Sequence, residues 1–314
     1  MTDPQIAGPR VVFLGTPDFA LPALRALAAA TAIAAVVTQP DRPAGRGRKV
    51  TPPPVAEAAR ALRLPVMQPE SLRPAHVVDE LRALRPDLLV VVAYGRIIPR
   101  AVLDLPRLAG INVHPSLLPA YRGASPVQAA IAAGAPVTGV TIMHLADELD
   151  AGDIILQREI SIGPEETTGE LEPRLADAGA ELLVEAVRLI ARGEAPRVPQ
   201  DHRRATYVGK VSKEDGRVMW DRPALAIVNQ VRAMNPWPCA YTAWREGTLR
   251  IWKARTAPGQ GAPGEVLAAG REGIVVAAAQ DAVVLLEVQA EGGRRMRADE
   301  FLRGHAVRAG DRVG

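Results

Sequence analysis

Asn112 and His114 stand two apart at the end of an apolar run, in Asn112-Val113-His114-Pro115-Ser116-Leu117-Leu118-Pro119. Alternate residues of a strand point to one side, so an amide and an imidazole would share a face. Asp150 follows a second apolar run, residues 137–145, in the D-x-G turn Asp150-Ala151-Gly152-Asp153. An amide, an imidazole and a carboxylate converging at strand ends suit a site that stabilises a developing oxyanion and moves protons. A lone histidine is more often structural. Here an asparagine shares its face and Pro115-Ser116 turns the chain sharply after it, which favours chemistry. His144, inside the second run, reads as structural.

The elements that would carry these residues alternate in kind. Short β-like runs at 11–15, 33–38, 88–94 and 110–114 are separated by Ala/Leu-rich helical patterns at 20–30, 54–62, 75–85 and 125–133. Residues 88–94 are apolar throughout, as in a strand covered on both faces. Such alternation predicts βαβ units, and so an α/β fold with a doubly wound, mostly parallel, Rossmann-like sheet. Ligand sites in these sheets lie beyond the carboxyl ends of strands, where Asn112 and His114 fall. Gly15-Thr16-Pro17 occupies the place of a dinucleotide loop, but G-x-G-x-x-G is absent, so a nicotinamide cofactor is disfavoured. Leu171, Leu175, Leu182, Leu183, Val187 and Leu189 form the stripe of a long helix from about 169 to 192, capped by Thr167 or Thr168.

Residues 193–207 turn polar, with Pro196 and Pro199, and read as a linker. The expected division is a catalytic domain over 1–192, that linker, and a second domain over 208–314. In the last part, short strands at 241–244, 249–253, 264–267, 273–277 and 283–289 are parted by Gly-rich turns, the pattern of a small β-barrel of OB-like type. All four tryptophans, Trp220, Trp237, Trp244 and Trp252, lie there and are expected to fill its core.

Apolar residues make up 48% of the 314, enough for a sizeable core. Net charge is +3, but it is uneven: residues 207–314 hold 16 Lys and Arg against 12 Asp and Glu. That excess fits either an ordinary soluble surface or a polyanion partner. Cys239 is the only cysteine, so no intrachain disulfide forms and multi-cysteine zinc sites are excluded. The first ten residues lack a signal peptide's apolar core, and no apolar stretch reaches the roughly 20 residues that span a bilayer. A cytoplasmic, monomeric protein with no membrane partner is expected. Another segment, Thr38 to Lys49, sets Arg42, Arg46, Arg48 and Lys49 among prolines and glycines. Two readings stand for it: a solvated loop, or an arm that contacts phosphates at a nucleic acid end.

Taken together, these stretches resemble the methionyl-tRNA formyltransferase family along nearly the whole chain. The matching residues are Gly15-Thr16-Pro17-Asp18-Phe19-Ala20, the loop from Gln39 to Gly47, Val91-Val92-Ala93-Tyr94-Gly95, the segment from Asn112 to Gly123, Leu149 to Asp153, Tyr207-Val208-Gly209-Lys210, Trp220 and Arg232 to Pro238. The resemblance implies formyl transfer from 10-formyltetrahydrofolate to the α-amine of methionyl initiator tRNA. It makes Asn112, His114 and Asp150 the catalytic trio and Ser116, Leu117, Leu118 and Pro119 the folate segment. It also gives the backbone near Val92 and Tyr94 a place by the pterin, and Arg42, Arg46, Arg48, Lys49 and Lys210 a role on tRNA. Glycine is common where Cys239 stands, so the local turn is expected to differ.

Such a trio would work as follows. Asn112 would donate to the formyl oxygen, and His114 would donate too if protonated. Asp150 would raise the imidazole's pKa by its charge. No metal is needed when such donors are preplaced. A non-catalytic RNA-binding protein with a degenerate enzyme domain is one alternative, against which the retained Asn112, His114 and Asp150 and the folate segment argue; the trio alone also fits transfer to an amino sugar nucleotide or to glycinamide ribonucleotide, or hydrolysis of formyl-folate. The basic loop and the C-terminal segments distinguish the tRNA reading from these.

Overall fold

A computed structural model describes residues 8–44, 49–245 and 247–314. The chain divides into two compact units. One contains the chain up to Gly123, Thr138–Ile160 and Glu172–Tyr207; the other contains Ala124–Val137, Ser161–Leu171 and Val208–Gly314.

The first unit is built on a seven-stranded sheet. Its strands are β1 (Arg10–Gly15), β2 (Ala32–Val37), β3 (Val66–Met67), β4 (Leu88–Val92), β5 (Ala109–His114), β6 (Val137–His144) and β7 (Ile154–Ser161), in the order β7-β6-β5-β4-β1-β2-β3. Strands β1 to β5 pair in parallel, and β6 runs antiparallel to β5. The doubly wound sheet read from the alternating pattern is present. Val11, Val12, Phe13 and Leu14 are fully buried, as are Leu88, Val90 and Val92. Both faces of these strands are covered, and this explains their unbroken apolar runs.

Helices supply the cover by presenting apolar stripes. In Leu21–Ala30 the inward residues are Ala23, Leu24 and Leu27; in Pro54–Ala61 they are Val55, Ala56 and Ala59. Each fully buried Leu or Val contributes about 1.5–3 kcal/mol. The helix Thr168–Arg192 lies close to β5 and β6 at Gly179, where a Cβ would stand 3.0 Å from Val113 Cγ1 and 3.3 Å from Val140 Cγ1. Its start follows capping-box logic: the Glu170 carboxylate accepts from the Thr167 N–H at 2.9 Å and from the Thr167 hydroxyl at 2.8 Å.

Residues 193–207, expected as a linker, are tied to the first unit. Val198 and Ile154 exchange backbone hydrogen bonds of 2.8 and 3.0 Å, and Gln200 is 5% exposed. Polar composition marked this stretch as unable to form a core of its own. It does not prevent amides from being satisfied by neighbouring backbone, and that holds the stretch in place.

In the second unit, β8 (Ala240–Trp244), β9 (Gly247–Ala257), β10 (Val266–Gly270), β11 (Gly273–Ala277) and β12 (Ala282–Ala290) form an antiparallel sheet of order β8-β9-β12-β11-β10, with Met296–Arg297 beside β12. Register shifts near Ile251 and Val266 mark bulges, which bend strands in barrel-like sheets. Ile227 and Val231 of one helix and Phe301 of another complete the core. Trp220 lies in this core, its indole N–H donating to Thr242 Oγ1 at 3.0 Å, and Trp244 packs against it. Trp237 corrects the expectation: it is 53% exposed. It sits between two cis prolyl bonds, at Pro236 and Pro238, in a turn and not on a strand.

Cys239 follows with φ at 70°, a left-handed conformation that glycine enters freely. Burial pushes its thiol up to about 11, so almost none is thiolate near neutrality. An aromatic disulfide reagent at pH 7 should leave Cys239 unmodified in the folded protein and react at once in denaturant. Rapid native reaction would contradict this burial.

Candidate active site

Asn112 and His114 end β5, and the pleat sets Gly110, Asn112 and His114 on one face with Ile111 and Val113 on the other. The register pairs Asn112 with Val91 on one side and Met143 on the other. Asn112 is half-buried, whereas His114 is only 3% exposed. The chain then folds back. The Ser116 N–H donates to the His114 carbonyl at 2.9 Å, and Tyr121, at φ 59°, directs its own carbonyl to His114 Nε2 at 3.0 Å. A carbonyl only accepts, so this contact places the ring proton on Nε2. Nδ1 faces Asp150 Oδ2 at 3.7 Å. That is beyond hydrogen-bond length, so the carboxylate acts on the ring through its charge.

Asp150 is fixed from several directions. It adopts φ 50°, and its Oδ2 accepts from the Gly123 N–H at 2.8 Å. A Cβ on Gly152 would stand 1.8 Å from the His144 carbonyl oxygen. Only glycine therefore lets the D-x-G turn lie against the end of β6. There the His144 N–H donates to the Asp153 carbonyl at 2.9 Å. Left-handed residues such as Tyr121 and Asp150 cost about 1–3 kcal/mol each and persist where their surroundings over-determine them.

Burial holds the His114 imidazole below its usual value of 6.5, against the opposing pull of the Asp150 charge and the Tyr121 hydrogen bond. The carboxylate does push upward as expected, but a nearly dry ring loses more from being charged than one carboxylate at this distance returns. His114 is therefore neutral near pH 7, with a lone pair on Nδ1. His144 is also buried and pushed down, chiefly by burial. It ends β6.

The folate segment expected from 116 to 119 is a stapled turn. Ser116 is fully buried and its hydroxyl donates to the Ala120 carbonyl at 2.6 Å, so that hydroxyl is already committed. Thr141 Oγ1 donates to the Ser116 carbonyl at 2.7 Å and accepts from the Leu118 N–H at 3.2 Å. Gln157 donates to the Leu118 carbonyl at 2.9 Å. Leu117 and Pro119 are half-buried, and the Leu118–Pro119 bond is cis. Val92 and Tyr94 are buried. The Tyr94 carbonyl already accepts from Thr16 Oγ1 at 3.0 Å and Gln39 Nε2 at 2.9 Å. The part of that backbone proposed for the pterin is thereby narrowed to other groups.

Arg42 is exposed on the ribbon Arg42–Ala44, which pairs with Lys49–Thr51. Arg46, Arg48 and the Lys49 side chain lie outside the described residues. Lys210 is exposed in the second unit. Among the described residues no cluster of three or more His, Cys, Asp or Glu could hold a metal ion, and no helix is long and apolar enough to cross a membrane.

Sequence reasoning left Gln200 inside a linker and gave Arg122 no role. The structure buries both beside Asp150. Only the Y-R-G motif signalled the arginine; nothing local signalled the glutamine.

Residues 9–187 match the family "Formyl transferase" and residues 210–306 the family "Formyl transferase, C-terminal domain". A methionyl-tRNA formyltransferase of Moorella thermoacetica is 49% identical over 308 residues, covering 97% of this chain and 99% of that protein. Another from Chloroflexus aggregans is 50% identical over 299 residues, covering 94% and 97%. The chain belongs to the methionyl-tRNA formyltransferase family. Among solved structures, the fold is shared with an N-formyltransferase from Helicobacter canadensis in complex with folinic acid and dTDP-3-aminofucose, at TM-score 0.63 and 15% identity, covering 88% of this chain and 98% of that one. It is shared too with HypX from Aquifex aeolicus in complex with tetrahydrofolic acid, at TM-score 0.61 and 20% identity over 94% of this chain and 47% of that one.

The site geometry sets the order of two titrations. By NMR, the His114 ring should titrate below 6.5, and Asp150→Asn should move its midpoint lower still, since the carboxylate is what pushes it up. A rise in Asp150→Asn would contradict the contact.

Proposed function

We propose that this protein transfers the formyl group of 10-formyltetrahydrofolate to the α-amine of methionyl initiator tRNA, with Asn112, His114 and Asp150 acting on the reacting atoms. The observation that carries the assignment of roles is the buried His114 ring, its Nε2 against the Tyr121 carbonyl and its Nδ1 3.7 Å from Asp150. The names of the relatives support the acceptor.

An α-amine has a pKa of about 7.7–8.0, so part of it is neutral near pH 7 and able to attack. A new N–C bond forms at the formyl carbon, the bond to the folate nitrogen breaks, and negative charge develops on the formyl oxygen in between. Asn112 supplies an N–H for that oxygen. His114 Nδ1, neutral because it is buried, accepts the proton the amine loses. The Asp150 carboxylate stabilises the imidazolium that results, and the proton then passes to the departing folate nitrogen. This differs from the sequence expectation in one respect: His114 starts as an acceptor, since its Nε2–H is held by Tyr121 and Nδ1 carries no proton. The site needs no reorganisation as charge develops, and this is the economy of preplaced dipoles.

Incubation with 10-formyltetrahydrofolate and methionyl initiator tRNA should give formyl-methionyl-tRNA. An amino sugar nucleotide formylated in its place would overturn the acceptor assignment. In single-turnover assays Asn112→Ala should cost about 10²–10³ in rate, the scale of one lost oxyanion donor. His114→Ala should cost about 10²–10⁴. Wild-type rates in both would remove these residues from the mechanism.

Lys210, exposed in the basic C-terminal part, is proposed to meet a tRNA phosphate. Lys210→Ala should weaken binding of charged tRNA and reduce the slope of log affinity against log salt by about 1, with formylation at saturating tRNA unchanged. An unaltered salt slope would remove it from the interface.

A further inference from the structure

One buried polar group that the mechanism leaves unused is the side chain of Gln200. It is 5% exposed, and its Nε2 donates to two carbonyls of the D-x-G turn, Asp150 at 2.9 Å and Gly152 at 2.7 Å. Its Oε1 accepts from Arg122 Nε at 3.1 Å and Nη2 at 2.8 Å. A primary amide has two donor hydrogens and two acceptor lone pairs, and here all four are used. The guanidinium also fixes which way the amide points. Flipped, the amide would press N–H against N–H at Arg122 and oxygen against oxygen at the turn.

We propose that Gln200 is a positioning residue that clamps the Asp150 turn, with Arg122 as the buried anchor that orients it. Arg122 is fully buried; its Nη1 donates to the Tyr207 hydroxyl at 3.0 Å and reaches Glu148 Oε1 at 3.4 Å, with His202 Nδ1 at a similar distance. The Tyr207 hydroxyl in turn donates to Glu148 at 2.9 Å. A buried guanidinium is retained only when its donors are met, and Gln200 meets two of them. The neighbouring Gly123 N–H holds the Asp150 carboxylate itself. Backbone and side chain of one short segment therefore grip the same turn, the first at the carboxylate and the second, through Gln200, at the carbonyls on either side of Ala151. This explains how Asp150 keeps φ 50° without being a glycine. It also explains the residue type: glutamate cannot donate to the carbonyls, and an aliphatic residue would leave both the carbonyls and the guanidinium unpaired.

The proposal rests on the role given to Asp150 above, and the two can fail separately. In the full-length protein, Gln200→Met should lower kcat by about 10–100-fold, the usual effect of losing a residue that orients a reacting group. KM for both substrates should change by less than about 3-fold. The NMR midpoint of His114 should move toward its value in Asp150→Asn, because the carboxylate is no longer held beside the ring. A folded Gln200→Met protein with kcat within about 2-fold of wild type, or with an unmoved His114 midpoint, overturns the clamp. If Gln200→Met does not fold, Gln200→Asn decides between the same outcomes, since it keeps the amide one methylene short of the turn. Wild-type kcat in Asp150→Asn would defeat the role of Asp150 instead, leaving the His114 midpoint in the Gln200 variant to report on the clamp.

Discussion

The removal of one imidazole from water is the constraint on which the proposed chemistry depends. His114 is 3% exposed, and burial outweighs a carboxylate 3.7 Å away in setting its protonation. A ring in water beside Asp150 would be charged over a wider range and would have no lone pair to offer. A dry ring with no carboxylate nearby could not hold the proton it receives. The structure holds both conditions at once: burial keeps the ring neutral, and the Asp150 carboxylate stands where it would lower the cost of the transient charge the proposed mechanism requires.

Those conditions require three separated stretches of chain to meet within a few ångströms. β5 delivers the ring, the turn after it brings the Tyr121 carbonyl to Nε2, and the segment after β6 brings Asp150. Tyr121 and Asp150 both adopt positive φ without being glycines. Strain of this kind is tolerated where hydrogen bonds converge, and here they do, at the Gly123 N–H, the Gln200 amide and the stapled turn of residues 116–120. The glycine at 152 is required by the same crowding, because the His144 carbonyl occupies the space of its missing Cβ.

The fold is shared with a solved N-formyltransferase and with HypX at low identity, so it specifies an architecture more than an acceptor. What sets this chain's family apart is found over its whole length, including a second unit with its own buried core. Its longest segment lies within residues 207–314, which hold 16 Lys and Arg against 12 Asp and Glu. Its tryptophans divide by role: Trp220 and Trp244 join the apolar core, while Trp237 faces solvent.

Much of this could be read from residues in order. The unbroken apolar run at 88–92 marks a doubly covered strand because nothing else explains five consecutive buried aliphatics. The i, i+2 spacing of Asn112 and His114 puts them on one face because the pleat has a period of two. The D-x-G signature carries Asp150 because glycine alone fits under the His144 carbonyl. Three matters were settled only in three dimensions. Sequence gives the sign of a carboxylate's pull on an imidazole, but the net direction depends on how much water the fold removes. Which nitrogen of His114 holds the proton depends on where the Tyr121 carbonyl comes to rest. The grip of Gln200 on Asp150 joins residues fifty apart through hydrogen bonds that leave no local pattern, so a polar stretch that reads as linker is held against the Asp150 turn.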